Sequence, residues 1–149
     1  MEEQKIAKNR RQVVFTLADG SELEGEVFLN LYEAHRQGSQ KVGELLNGED
    51  AFLPIKTDDG TVHLNVSNIL KVITPEDAER HDLMMLGKKY RVRITTLHGD
   101  TIDGDIFVDL PQARSRVSDY LNRPERFFRV FVPGHIVYIG ARFILEVRD

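Results

Sequence analysis

Carboxylates, imidazoles and guanidinium groups are the side chains of this sequence that could do chemistry. Glu22, Glu24 and Glu26 recur at every second position, and Asp103 and Asp105 repeat that spacing further along. Alternate positions share one face of a strand, so these groups could hold a metal or work as an acid and a base. With no histidine or buried partner in the same run, they read instead as a solvated face that discourages edge-to-edge association. The histidines His35, His63, His81, His98 and His135 share no spacing, and the chain has no cysteine. Disulfides, thiolate nucleophiles and Cys-based zinc sites are therefore excluded. No metal or other cofactor is expected. No Ser-His-Asp order, phosphate-cradling glycine loop or H-E-x-x-H run occurs, so an enzyme reading has no residue to rest on.

The cations are less evenly spread. Arg114, Arg116, Arg123, Arg126 and Arg129 crowd one segment against only Asp119 and Glu125, while residues 41 to 54 are acidic. Such a cluster is a candidate anion or nucleic-acid contact, or one side of an acidic-to-basic contact, and its plain reading is a wet face of paired charges. The whole chain carries a net charge of −4, which argues against general affinity for nucleic acid. No apolar run approaches the roughly 18 residues of a membrane span, and the start lacks the apolar middle of a secretion signal. A cytoplasmic protein with no membrane partner is expected.

The elements that carry these residues come in two copies. Residues 12 to 34 lie over 91 to 113 at an offset of 79 with seven identities, and residues 41 to 72 lie over 116 to 147 at an offset of 75 with eight. The loop between the two blocks is four residues longer in the first copy, a change loops tolerate. Ordered glycines, gapless registers and an Asn after each short helical run point to an internal duplication.

Within one copy, V-V-F-T-L and E-L-E-G-E-V-F-L flank Asp19-Gly20, and the second copy repeats the hairpin around His98-Gly99. Gly25 and Gly104 fall in mid-strand and read as bends of a curved sheet. Phe28 and Phe107 follow them and are expected to turn inward. K-V-G-E-L-L-N and R-V-S-D-Y-L-N place apolar residues at helical spacing, with Ser115 as a start cap and Asn47 and Asn122 as left-handed closing residues. Three further strands complete each copy. Residues 2 to 9 and T-P-E-D-A-E-R-H-D-L-M-M-L read as short helices ahead of each unit, the latter with Thr74 at N-cap and Pro75 at the first position.

Five short bent strands with a glycine midway along the second and an abrupt turn before the fifth resemble the Sm-like small barrel. The words are similar too: V-x-x-x-L-x-D-G-x-x-L-x-G-x-V over residues 13 to 27, and V-H-L-N-V-S-N-I-L-K-V and V-Y-I-G-A-R-F-I-L-E-V near the end of each copy. The second copy's R-V-S-D-Y-L-N, F-F and V-Y-I-G phrases are also similar to an uncharacterised bacterial domain family. The fold expected is mainly β with short helices: a first Sm-like five-stranded small barrel over 1–73, a helical linker over 74–89 and a second barrel over 90–149.

The family's ring assembly through fourth and fifth strands is implied by the resemblance, but its RNA site is not. Where an Asp and then an Asn would contact a base, the chain has Leu31-Tyr32 and Leu110-Pro111. Where Arg-Gly would follow, it has Asn65-Val66 and Gly140-Ala141. Tyr138 is similar to a stacking Tyr of the bacterial RNA-chaperone branch, yet Ile139 and Gly140 come next. The expected function is thus a non-enzymatic interaction or scaffold module whose partner is another protein or itself, with divergent RNA or nucleotide binding through the Arg-rich copy as the alternative. Val62, Leu64, Val137 and Ile139 are too apolar for an unprotected sheet edge and are the expected pairing interface.

Overall fold

The computed structural model describes residues 8–30 and 40–149; residues 2–7 of the helix expected over 2 to 9 lie outside them, as do Leu31, Tyr32 and His35. Period-two apolar patterning forms strands β1 (Lys8–Leu17), β2 (Glu22–Asn30), β3 (Phe52–Thr57), β4 (Gly60–Asn65), β5 (Ile69–Pro75), β6 (Lys88–Thr96), β7 (Thr101–Val108), β8 (Phe127–Val132), β9 (His135–Gly140) and β10 (Ile144–Arg148). Among the described residues three short helices intervene: α1 (Val42–Leu46), α2 (Glu76–Glu79) and α3 (Val117–Leu121). Gly20 and Gly99 turn the β1–β2 and β6–β7 hairpins at φ of 88° and 87°, which only glycine adopts without penalty.

All ten strands form a single antiparallel sheet in the order β10-β6-β7-β8-β9-β5-β1-β2-β3-β4. The order β5-β1-β2-β3-β4 thus recurs as β10-β6-β7-β8-β9. The sheet is open, so two closed barrels are not what the chain builds. Strand β9 bonds β8 on one edge and β5 on the other, leaving no groups with which β10 could close the second unit.

Gly25 pairs with Val13 and Gly104 with Val92, next to the places where each strand barely pairs with the one that follows it. There β2 meets β3 by a single bridge, Glu26 to Lys56, and β7 meets β8 by Asp105 to Phe131. A Cβ on Gly25 would lie 2.6 Å from Ile55 and 2.8 Å from the Lys56 carbonyl oxygen; on Gly104 it would lie 2.5 Å from the Phe131 carbonyl oxygen. The glycines let one backbone cross directly over another.

Several local expectations need correction. Phe28 and Phe107 do not turn inward, because alternation continues through the bend and Val27, Leu29, Ile106 and Val108 take the inward positions. Phe28 is half-buried beneath the Arg10 guanidinium, and Phe107 packs edge-on against Phe131. Asn47 and Asn122 close their helices at φ of −91° and −90° rather than left-handed. Ser115 does not cap α3; its hydroxyl donates to the Gln112 carbonyl, and Arg116 is the cap, its N–H donating to Asp119. Lys8 and Asn9 belong to β1. Thr74 and Pro75 end β5, where the buried Thr74 hydroxyl donates to the Ile136 carbonyl at 2.7 Å. The linker is two pieces, α2 and a 3-10 turn over Asp82–Met85, parted by extended backbone at Arg80 and His81.

Two apolar clusters lie along the sheet, and they interlock at β9. Ile136 and Tyr138 enter the first cluster with Phe15, Leu46 and Val72, while Val137 and Ile139 enter the second with Ile94, Ile106 and Val130. Because a Cβ at either glycine must displace a backbone atom, Gly25→Ala and Gly104→Ala are each expected to lower stability by about 1–3 kcal/mol. Urea denaturation measures this; unchanged midpoints would show that the corners can part freely.

Candidate functional site

The seam between the two halves gathers the polar side chains that packing has taken out of water. Glu79, on α2, is fully buried. Its Oε1 accepts from Arg11 Nη1 at 2.6 Å and from the Val42 N–H at 3.0 Å, and its Oε2 accepts from the Gly43 N–H at 3.3 Å and the Tyr138 hydroxyl at 2.6 Å. One carboxylate therefore joins β1, the start of α1, the linker and β9. Arg11 is itself buried. Burial, and then the negative charge of Glu79, push the Tyr138 phenol well above its usual value, with the nearby Arg129 cation opposing.

Beside this node, Asn47 of the first half clamps the second. Its Oδ1 accepts from the Arg126 and Phe127 N–H groups at 3.0 and 2.9 Å, and its Nδ2 donates to the Phe127 carbonyl. Arg126 in turn donates to the Gly48 and Asp50 carbonyls. Asn122, the matching residue of the other half, only donates to the Ser118 carbonyl of its own helix.

The five arginines do not form one patch. Arg126 is spent on the seam. Arg116 pairs with Asp119 at 3.0 Å and Arg123 with Glu125 at 3.1 Å, and the Arg116 guanidinium holds the Asp119 carboxyl below the usual carboxylate range. Arg114 is exposed on a 3-10 turn. Arg129 is half-buried beside the Tyr138 hydroxyl and donates at a long 3.5 Å to the Met84 carbonyl. Three of the five carboxylates on the β2 and β7 faces are partnered across the sheet: Arg10 lies 3.9 Å from Glu26, Arg91 3.6 Å from Asp105 and Arg93 2.7 Å from Asp103. Hydrogen bonding from Arg93 lowers the Asp103 pKa. Among the described residues no group of three metal-ligating side chains gathers.

Arg123 and Arg129 line a groove of about 700 Å³ at the seam, together with Lys41, His81, Phe107 and Tyr120. Tyr138 is its floor, buried and bonded to Glu79, so it offers no ring face for stacking a base. A second hollow of about 210 Å³ lies by Asn65–Val66 and Gly140–Ala141, the positions where the resemblance would put an RNA site; Val66, Gly140 and Ala141 line it, and Arg142 beside it donates to the Ser67 carbonyl.

The residues expected to pair at sheet edges separate. Val137 and Ile139 are interior, paired with Ile73 and Lys71 of β5. A lysine at Val137 would enter a core, not a surface. Val62 and Leu64 lie on β4, at one end of the sheet. Glu79 and Asn47 as seam anchors escape a sequence reading, because their partners lie 36 to 80 residues away along the chain. No family model, no curated protein and no solved structure matches this chain.

Removing one member of a buried ion pair strands the other. Glu79→Ala is expected to cost about 3–5 kcal/mol in urea denaturation, and the double change Arg11→Met with Glu79→Leu to recover most of it. Equal losses in the single and double variants would show that the pair's charges are not what matters. Because Tyr138 keeps its proton longer when folded than when unfolded, stability should be level below its unfolded pKa of about 10 and fall as pH rises beyond it. Denaturation from pH 8 to 11 checks this, with a flatter alkaline limb in Tyr138→Phe.

Proposed function

We propose that this chain is a non-enzymatic interaction module, two fused Sm-like units that act in the cytoplasm through the ends of their shared sheet, with a second copy of the chain as the leading partner. The reading is supported by strand order, by the sequence resemblance and above all by what the two ends expose. The β5–β9 junction buries Leu70 (0% exposed), Phe127 (4%) and Val137 (4%). Their counterparts in the other copy are Leu145, Phe52 and Val62, which stand 64%, 55% and 37% exposed. Leu145 sits on β10 and the other two on β3 and β4, so the same residues that are covered inside the chain are bare at opposite ends of it. An unpaired strand bearing apolar side chains is a template for another strand. Head-to-tail pairing of β4 with β10 of a further copy would cover all three.

No helix is long and apolar enough to cross a membrane among the described residues, and a chain without cysteine has no need of an oxidising compartment. The interaction reading rests on the exposed edges themselves.

Light scattering tests it. The wild type is expected to exceed 17.1 kDa in a concentration-dependent way, and Leu145→Lys, at a position already exposed, to return the mass to that of one chain without altering the denaturation midpoint. A wild type that stays at the mass of one chain at all concentrations would overturn self-association.

A further inference from the structure

We infer that Asn122 is the polar clamp of a joint between copies of this chain, holding the main chain of the next copy at Ala51 and Phe52 as Asn47 holds Arg126 and Phe127 within one, an inference that rests on the self-association proposed above. The free ends of the sheet repeat the seam strand for strand at an offset of 75. Strand β10 meets β6 at Ile144–Thr96, Glu146–Thr95, Val147–Ile94 and Arg148–Arg93. Strand β5 meets β1 in the same way, at Ile69–Leu17, Lys71–Thr16, Val72–Phe15 and Ile73–Val14, and each run leaves one leucine, Leu145 or Leu70, unopposed. Strand β4 meets β3 in the register in which β9 meets β8, with Phe52 opposite Asn65 as Phe127 is opposite Gly140. Both sides of a second seam therefore stand ready-made at the two ends of the sheet.

The clamp is in place on one of those sides. Asn122 follows α3 as Asn47 follows α1 and has nearly the same φ. It is exposed; its Nδ2 donates at 2.7 Å to the Ser118 carbonyl, and its Oδ1 has no partner among the described residues. Ala51 and Phe52 are exposed on the other side. The Ala51 carbonyl accepts from the Val66 N–H at 2.9 Å just as the Arg126 carbonyl accepts from the Ala141 N–H at 2.9 Å, so the chain enters β3 and β8 alike. A carboxamide has an oxygen with two lone pairs and two N–H donors, enough to take two main-chain N–H groups and give to a carbonyl. Such a grip fixes register. It sets Val147 opposite His63 and Arg148 opposite Val62 of the next copy, as Val72 is opposite Tyr138 and Ile73 opposite Val137 at the seam. The seam's other anchors are missing there, since Tyr90 and His63 stand in the places of Arg11 and Tyr138, and Ala51 in that of Arg126. The joint between copies therefore opens on dilution, whereas the seam within a chain stays shut.

Sedimentation equilibrium of the full chain tests the clamp. Asn122→Ala is expected to raise the dissociation constant about tenfold, while the denaturation midpoint of single chains, which lose one exposed bond, hardly moves. Ala51→Arg, at an exposed bend, supplies the guanidinium that Arg126 supplies at the seam and is expected to lower the dissociation constant several-fold. Register is read separately, because the chain has no cysteine of its own. Arg148→Cys and Val62→Cys chains, mixed and oxidised, are expected to form a disulfide-linked pair that neither forms alone, and Arg148→Cys with Thr61→Cys, one place out of register, to link far more slowly. A wild type that associates and is dissociated by Leu145→Lys, yet is indifferent to both Asn122→Ala and Ala51→Arg, would overturn the clamp and leave self-association standing. A wild type that stays single at every concentration overturns both. Linking of either cysteine variant alone as fast as the mixture would overturn the head-to-tail register.

Discussion

A strand that is bonded along both edges and covered on both faces has to be apolar at nearly every position, and β9 meets that demand with Ile136, Val137, Tyr138 and Ile139, all buried. Alternate side chains supply opposite cores, so each half is completed by the other. The pairing with β5 also takes the edge that would otherwise let each unit close on itself, which is why the sheet runs open through ten strands. Separation of the halves would expose Val137 and Leu70, unpair Thr74 from Ile136 and strip the Tyr138 hydroxyl from the buried Glu79 charge.

That charge fixes the geometry that the apolar contacts alone would leave loose. A buried carboxylate is costly to desolvate, and Glu79 offsets the cost with four bonds from three separate parts of the chain. Each of those bonds has a direction. An apolar side chain in its place could slide, whereas the carboxylate holds the linker at one register against α1 and β9. Asn47 does the same from the other wall, reading the backbone of β8 at Arg126 and Phe127. Together they shape the groove from its two sides.

How much of this the sequence disclosed follows from the range of each interaction. Alternation revealed the strands, and glycines at turns and corners marked where the sheet folds over, because both signals are local. Helix ends are less legible, because a residue of suitable type lies one place from the true cap, Ser115 beside Arg116 and Thr74 beside Pro75. At Phe28 and Phe107 residue type and position disagree: aromatic bulk suggests the core, but their parity along the strand puts them on the other face. Glu79 gave no local sign at all, being one acid among Glu76, Asp77 and Asp82 on a polar linker. Its burial is decided by Arg11 and Tyr138, far away in both directions.

Interlocked cores also set an order of events during synthesis. When Pro75 has been made, the first half holds every strand it contributes, yet its core still lacks Phe127, Ile136 and Tyr138, and β5 has an empty side. The missing strand is completed only at Gly140, 65 residues later. At about 5–20 residues per second that is a wait of roughly 3 to 13 seconds, during which a β9 from a neighbouring finished chain could fill the gap in place of the chain's own. Exchange of that kind would tie two molecules together by the contact that normally ties one molecule to itself, and the crowding of ribosomes on a message would set how often it happens.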